Sequence, residues 1–404
     1  MMNEYRFKTD IPKEEYEQFV QSHQLCNLLQ SYDWAKVKNN WDHVYAGVYD
    51  KNKLAATGLI LIKPLPFSFT MFYLPKGPIL DYTNKELFNF FFENLKKLAK
   101  QKHCVFIKFD PGIVIRELSL HKEVLNAHTD TQSILADIKA IGGIHKGFTT
   151  YIEETVQPRF HMGLYPCELK EHLPSSTLRS IKKAQKKNVV VEEAGVQGLD
   201  EFAQIMHMTE ERKQVHLRGK DYFELLLRTY PKNAHLFLAY VDPKQKMQTL
   251  LEKKKQLEDI IAERPNKKKE HELLQTNEEI DSIKTVCEKY PGRTAIAGGI
   301  MIGYGKECEM LYAGSNDDFM NFRPQYLLYL TQFEYAFSHG YEFVTMGGID
   351  GDFKDGLSQF KSNFNPVIRE YIGEFDLPIH KIMYAAANKL LPSIKKLLKN
   401  GAPK

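Results

Sequence analysis

Disulfide chemistry has little to work with in this chain. The five cysteines, Cys26, Cys104, Cys167, Cys287 and Cys308, are odd in number, far apart and form no CxxC pair. Neither a disulfide frame nor a zinc site is expected, and the thiols read as free in a reducing cytoplasm. A membrane span is also missing. The most apolar run, Gly58 to Leu74, is broken by Lys63, Pro64 and Pro66, short of the roughly 20 apolar residues a bilayer helix needs. The opening residues, MMNEYRFKTD, have neither the basic start nor the apolar core of a signal peptide, which predicts a cytoplasmic protein. Charge of one sign is scarce too. A net charge of +4 over 404 residues excludes a basic coat for nucleic acid, so any polyanion contact must come from a local patch.

What is present is enough apolar residue, 43% of the chain, to bury more than one core. The length exceeds one typical domain. Two stretches share one order of elements. In the first, His43 to Tyr49 and Leu54 to Lys63 predict a hairpin, Phe69 to Leu74 a third strand, Asn84 to Lys102 a helix and Cys104 to Asp110 a closing strand. In the second, His235 to Val241, Thr294 to Gly303, Glu309 to Gly314, Arg323 to His339 and Tyr341 to Met346 repeat the order. Two β-β-β-α-β units predict an α/β protein with two mixed sheets flanked by helices, the core topology of tandem N-acetyltransferase-like (GNAT) domains. The pyrophosphate-cradling RxxGxG/A loop of acetyl-CoA enzymes is missing, Lys76-Gly77-Pro78 being the nearest approach. That argues against a small-molecule acetyltransferase.

The second hairpin is interrupted. Met247, Leu250, Leu257 and Ile261, then Leu273, Ile280, Ile283 and Cys287, follow a heptad spacing around a turn at Pro265-Asn266. This predicts an antiparallel coiled-coil arm, with positive charge at Lys253 to Lys255 and Lys267 to Lys269. The expected domains are 1–150, then 151–243 with 293–378, with the arm at 244–292 and a basic amphipathic helix at 379–404. That last helix suits either an anionic lipid surface or the first domain.

Several residues stand out as chemistry. The stretch FVTMGGIDGDFKDGLSQFKSNFNP, Phe343 to Pro366, runs a strand into a glycine-rich loop and then to Phe360-Lys361. A glycine turn admits close backbone approach to a ligand, and a lysine among aromatics puts a cation in a partly desolvated place. An ordinary surface loop with a solvated Lys361 is the alternative. In LLQSYDWAKVKNNW, Trp34, Lys38 and Trp41 fall at i, i+4 and i+7, one face of a predicted helix, as core packing or as a site. Ser175 or Ser176 can cap a helix on which Arg179, Lys182, Lys183, Lys186 and Lys187 share a face with no intervening acid, a solvated face or a polyanion contact. Arg218 and Tyr222, four apart, would make a phosphate clamp on one helical turn.

Taken together and in order, these residues resemble the Fem-type (FemABX) aminoacyltransferases, closest to the FemX and MurM branch. The resemblance rests on LLQSYDWAKVKNNW, FTMFYLPKGPILDY, FDPG at Phe109 to Gly112, QPRF at Gln157 to Phe160, LRSIKKAQKKNV, the arm, LYAGSND and GEFDLP. It implies two GNAT-like domains with an inserted coiled-coil arm. It also implies transfer of Ala, Ser or Gly from aminoacyl-tRNA to the ε-amine of the stem-peptide lysine of lipid II, the first residue of the peptidoglycan bridge. An aminoacyl ester is already activated, so no metal or cofactor is expected. By resemblance, Lys38, Arg218 and Tyr222 hold the acceptor's phosphates, Trp41 lies beside them, and Tyr312 lines the peptide channel. Phe360 and Lys361 meet the donor's aminoacyl end, and Asp110 is a candidate base. Two other readings stay open: a non-catalytic tRNA-binding or coiled-coil scaffold on an acyltransferase fold, and an aminoacyltransferase acting on a protein N-terminus.

Overall fold

The structure is a computed structural model and describes residues 4–214, 216–386 and 388. Alternating apolar residues make Asp42–Asp50 and Lys53–Pro64 an antiparallel pair, joined by a two-residue turn that sets Asp50 opposite Lys53. Thr70–Leu74 pairs antiparallel with the second of these and parallel with Cys104–Phe109. The parallel pair needs a crossover, supplied by the Lys85–Gln101 helix,. Asn84 caps that helix by accepting from the Leu87 N–H at 3.1 Å,. Leu87, Phe88, Phe91, Phe92, Leu95 and Ala99 turn one face into the core, each large side chain contributing about 2–3 kcal/mol on burial.

This sheet runs in the order Tyr5–Lys8, Asp42–Asp50, Lys53–Pro64, Thr70–Leu74, Cys104–Phe109, Phe375–Pro378, Ile144–His145. A second run of strands in the same compact unit has Val367–Tyr371 paired on one side with Phe160–Leu164 and on the other with Val114–Leu118. The unit therefore comprises Met1–Pro166, Gly303–Cys308 and Tyr341–Lys404, and the other Cys167–Ile302 with Glu309–Gly340. That division differs from the one expected at residue 150. The C-terminal strands return to pair with strands that precede residue 120, so 341–378 belongs with the first unit. Pairing across 250 residues leaves no local trace in a sequence. Of the expected C-terminal helix, 387 and 389–404 lie outside the described residues.

In the second unit the strands Val190–Glu193, Ala234–Val241, Thr294–Tyr304 and Glu307–Ser315 follow one another in the sheet, and the Pro324–Ser338 helix packs on the Ser175–Lys186 helix. The repeated β-β-β-α-β order is thus present in both stretches. The interruption is a helical hairpin, Pro243–Glu263 and Lys267–Lys289, capped by Asp242 and Asn266. Its seam buries Leu250, Leu257, Thr276 and Ile283. Thr276 fills a heptad position that an apolar-only pattern skips. Each helix is about 30 Å long. The arm is not the cationic surface its lysine runs suggest: residues 243–292 hold eleven Lys and Arg against ten Asp and Glu, and Lys253 and Lys269 both pair with Glu272.

Candidate active site

In the first unit the parallel strands Thr70–Leu74 and Cys104–Phe109 end side by side, with Leu74 opposite Phe109. The residues that follow each strand are therefore brought together. Asp110, buried, accepts from the Lys76 backbone N–H at 2.5 Å through one oxygen and from the Tyr73 hydroxyl at 2.8 Å through the other. Gln30, also buried, holds the same turn from its far side, donating to the Pro75 carbonyl at 2.7 Å and accepting from the Leu59 N–H. Three of the sequence motifs thus converge on one turn. Burial pushes the Asp110 carboxyl up to about 6, against the lowering pull of the Lys76 charge and amide,. Lys76 sits with φ at 53° and lays its ammonium over the Tyr371 ring, 3.8 Å from the centroid,.

Lys361 is buried, and it lies on a helix, not in the expected loop. Asp355 caps Gly356–Ser362 by accepting from the Leu357 and Ser358 N–H groups, and Lys361 falls in its last turn. Its ammonium donates to the Gly348 carbonyl at 2.9 Å and the residue is 4% exposed, which removes the solvated-surface reading. Phe360 is half-buried and meets Phe364 edge-on at 5.6 Å. The Gly-Gly turn has an internal reason. Gly347 has φ 81°, and a Cβ on Gly348 would stand 2.3 Å from Pro158,.

Gly348 lies directly across the strand pair from His161, a residue the sequence motifs missed by one position. His161 is a hydrogen-bond neighbour of Pro158. Proline offers only a carbonyl, so the imidazole donates, and among the described residues its Nε2 has no partner. Hence Nδ1 carries the proton and Nε2 is a bare acceptor. Burial first, then the charges of Lys76, Lys361 and Arg369, push its pKa well below the usual value. Its ring meets Tyr371 at 5.1 Å. Only the strand register exposes this cluster of Lys76, His161, Lys361 and Tyr371.

Ion pairs on buried carboxylates tie the neighbouring strands together. Glu370 joins Arg159, at 2.5 Å, and Arg116, and Lys108 joins Glu374 and Asp376. QPRF and GEFDLP supply these partners, so they serve the frame of the site. A cavity of about 490 Å³ in the same unit shares only Tyr371 with the cluster.

The expected helical face of Trp34, Lys38 and Trp41 does not form. The helix is only Trp34–Val37, Lys38 is its C-cap at φ −98°, and Trp41 lies beyond it. Lys38 still sits over the Trp34 ring at 5.9 Å, while Trp41 carries Lys63 at 5.5 Å.

In the second unit Arg218 and Tyr222 are not on one helical turn either, because the helix starts at Lys220. The exposed Arg218 guanidinium nevertheless stands 5.0 Å from the Tyr222 ring, and that ring meets Tyr312 edge-on at 5.9 Å. The three expected residues are therefore adjacent. Burial, then the Tyr312 hydroxyl, pushes the Tyr222 phenol up, keeping it a neutral donor. On the Ser175–Lys186 helix the capping position is Pro174, with no side-chain cap from Ser175 or Ser176. Thr177, Ile181 and Ala184 face inward, and Arg179, Lys182, Lys183 and Lys186 are exposed. Lys187 ends the helix half-buried against the Phe322 ring at 4.6 Å, so four cations form the open face. Among the described residues no group of His, Cys, Asp or Glu is placed to hold a metal ion, and no helix is long and apolar enough to cross a membrane.

The FemAB family model matches residues 11–391. Two lipid II:glycine glycyltransferases are similar over nearly the whole of both chains. That of Staphylococcus saprophyticus is 27% identical over 96% of this chain and 97% of its own. One from Staphylococcus aureus is 28% identical over the same shares. A solved FemX structure superposes with a TM-score of 0.77 at 26% identity, over 94% of this chain and 99% of that one. A tandem GNAT protein from the clavulanic acid pathway, at 8% identity and a TM-score of 0.50 over 93% of this chain and 99% of its own, shares the fold.

Proposed function

Because the chain belongs to the FemAB family, we propose that it is an aminoacyltransferase that adds glycine, carried on tRNA, to the stem-peptide lysine of lipid II. The observation that carries this reading is the full-length similarity to lipid II:glycine glycyltransferases, whose name has lipid II itself as acceptor. That supports addition of the first bridge residue. The reaction joins the lysine ε-nitrogen to the ester carbonyl carbon, breaks the bond from that carbon to the ribose oxygen, and passes one amine proton to that oxygen.

The residues suit these steps. The acceptor amine has an ordinary pKa near 10.4, so presenting it neutral at pH 7 costs roughly 4–5 kcal/mol unless the site helps. Asp110, held near 6, is a carboxylate at pH 7 and takes up that proton directly or through Tyr73. Lys361 stabilises the charge that develops on the carbonyl and ribose oxygens, with Phe360 against the aminoacyl group. Lys38, beside Trp41, and the Arg218–Tyr222 pair take phosphate oxygens of the acceptor, and Tyr312 lines the peptide path. The exposed cations at 179, 182, 183 and 186 take the tRNA backbone. Positioning two large substrates supplies as much rate as any single group. No cofactor is required, because the ester is already activated.

Incubating the protein with lipid II and with glycyl-, alanyl- or seryl-tRNA, then weighing the product, tests the reading. A glycine adduct on lipid II is expected. No adduct with any of the three would favour the scaffold reading, and an adduct on a peptide N-terminus alone would favour the third.

A further inference from the structure

A surface of the first unit combines exposed apolar groups with cations. The loop after Lys53–Pro64 carries Phe67 at its tip, 92% exposed, and Phe67 and Ser68 both have positive φ, 61° and 60°. Bulky residues seldom adopt that conformation, and here it holds a phenyl ring out in water. The neighbours Leu65, Phe69 and Met71 pack with Val105, Phe106, Met383 and Tyr384 in one apolar cluster. Next to Met383 in the chain, Ile382 is 87% exposed.

Backbone bonds tie the three segments together. The Thr70 N–H donates to the His103 carbonyl, and the Ile379 and His380 N–H groups both reach Val105. Around the two exposed apolar tips stand Lys63, Lys102, His103, His380 and Lys381, all exposed. Segments 63–71, 101–103 and 379–384 contain no Asp or Glu.

We infer that this patch is a docking surface for an anionic lipid bilayer, with Phe67 and Ile382 entering the headgroup boundary and the lysines meeting the lipid phosphates. Exposed apolar side chains ringed by cations without acids are what interfacial binding requires, each signal being weak alone. The position supports a link to the proposed acceptor, and that link rests on the reading above. Lys63 stacks on Trp41 at 5.5 Å, three residues from Lys38. A lipid-borne pyrophosphate at Lys38 would therefore leave its hydrocarbon chain beside the same bilayer.

The test is cosedimentation of the full chain, without substrates, with vesicles of phosphatidylcholine alone or mixed equally with phosphatidylglycerol. Binding to the mixed vesicles that weakens with salt is expected. The double variant Phe67→Ser with Ile382→Ser should bind about tenfold more weakly, and Lys102→Glu with Lys381→Glu should lose the preference for anionic lipid. Both changes are at exposed positions, so an unchanged thermal midpoint checks the fold. No binding by the unaltered chain, or equal binding by the variants, overturns the proposal. So does a dimer in sedimentation velocity that Phe67→Ser abolishes. With a soluble nucleotide-linked stem peptide as acceptor, the double variant should transfer normally. Absence of transfer to lipid II by the unaltered chain would defeat the functional reading, while vesicle binding decides the patch separately.

Discussion

The burial of Lys361 makes its substitution informative. Lys361→Met keeps the stem's bulk and removes the charge, and turnover should fall roughly a hundredfold or more, the scale of losing one transition-state stabiliser, with little change in acceptor binding. Single-turnover rates beside acceptor titrations check this, and near-normal turnover would take Lys361 out of the mechanism. Asp110 makes a prediction in pH. Its folded pKa, about 6, lies above the roughly 3.9 of an unfolded Asp, so the folded protein holds a proton that the unfolded chain releases. The stability contribution is greatest below pH 4 and is lost as pH rises towards 6, by about 2–3 kcal/mol. Asp110→Asn should flatten that slope in denaturant unfolding at pH 4 and 6. It should also abolish a rise in transfer rate through pH 6. Arg218→Ala should weaken a pyrophosphate-bearing acceptor more than the bare stem peptide, and equal loss for both would refute the phosphate assignment. At this scale the sequence motifs singled out Lys361 and Asp110 but not His161, which joins the cluster through a cross-strand partner nearly two hundred residues away.

At the scale of elements, the basic helix and the arm part company. The helix at Ser175–Lys186 has four exposed cations and no acid, while the arm's charges nearly cancel. Lys182→Glu with Lys183→Glu should therefore raise the tRNA concentration for half-maximal transfer about tenfold or more at low salt, and an unchanged value would remove the helix from tRNA binding. Strands and long helices were legible because alternation and the 3.6-residue period are local properties. Short elements were not. The helix predicted in LLQSYDWAKVKNNW breaks into a 3₁₀ turn and one helical turn because Ser31 leaves the helix at ψ 151°. Conversely, the predicted loop at Lys361 winds into a helix once Asp355 caps it.

For the whole molecule, the two repeats were readable and the division into units was not, since glutamates and arginines 200 residues apart close the first unit. The arm enters the second unit just beyond a register shift at Ala239/Tyr240, with Val241 paired with Thr294. Replacing 243–292 by Asn-Gly, a favoured hairpin turn, should leave a cooperatively folding protein. Its midpoint should fall by several degrees, because Tyr290 no longer packs on Phe319 or bonds Asp318. Loss of a cooperative transition would make the arm integral to the fold. The paired ends also bear on how the chain finds its structure. Joining Val241 to Thr294 through a disordered stretch of about fifty residues would carry the closure entropy of a long loop. A helical hairpin forms from contacts close in sequence, on a time scale of microseconds, and its two feet arrive side by side. The arm thus turns a distant strand pairing into a local one, and the second sheet has a ready nucleus at its base.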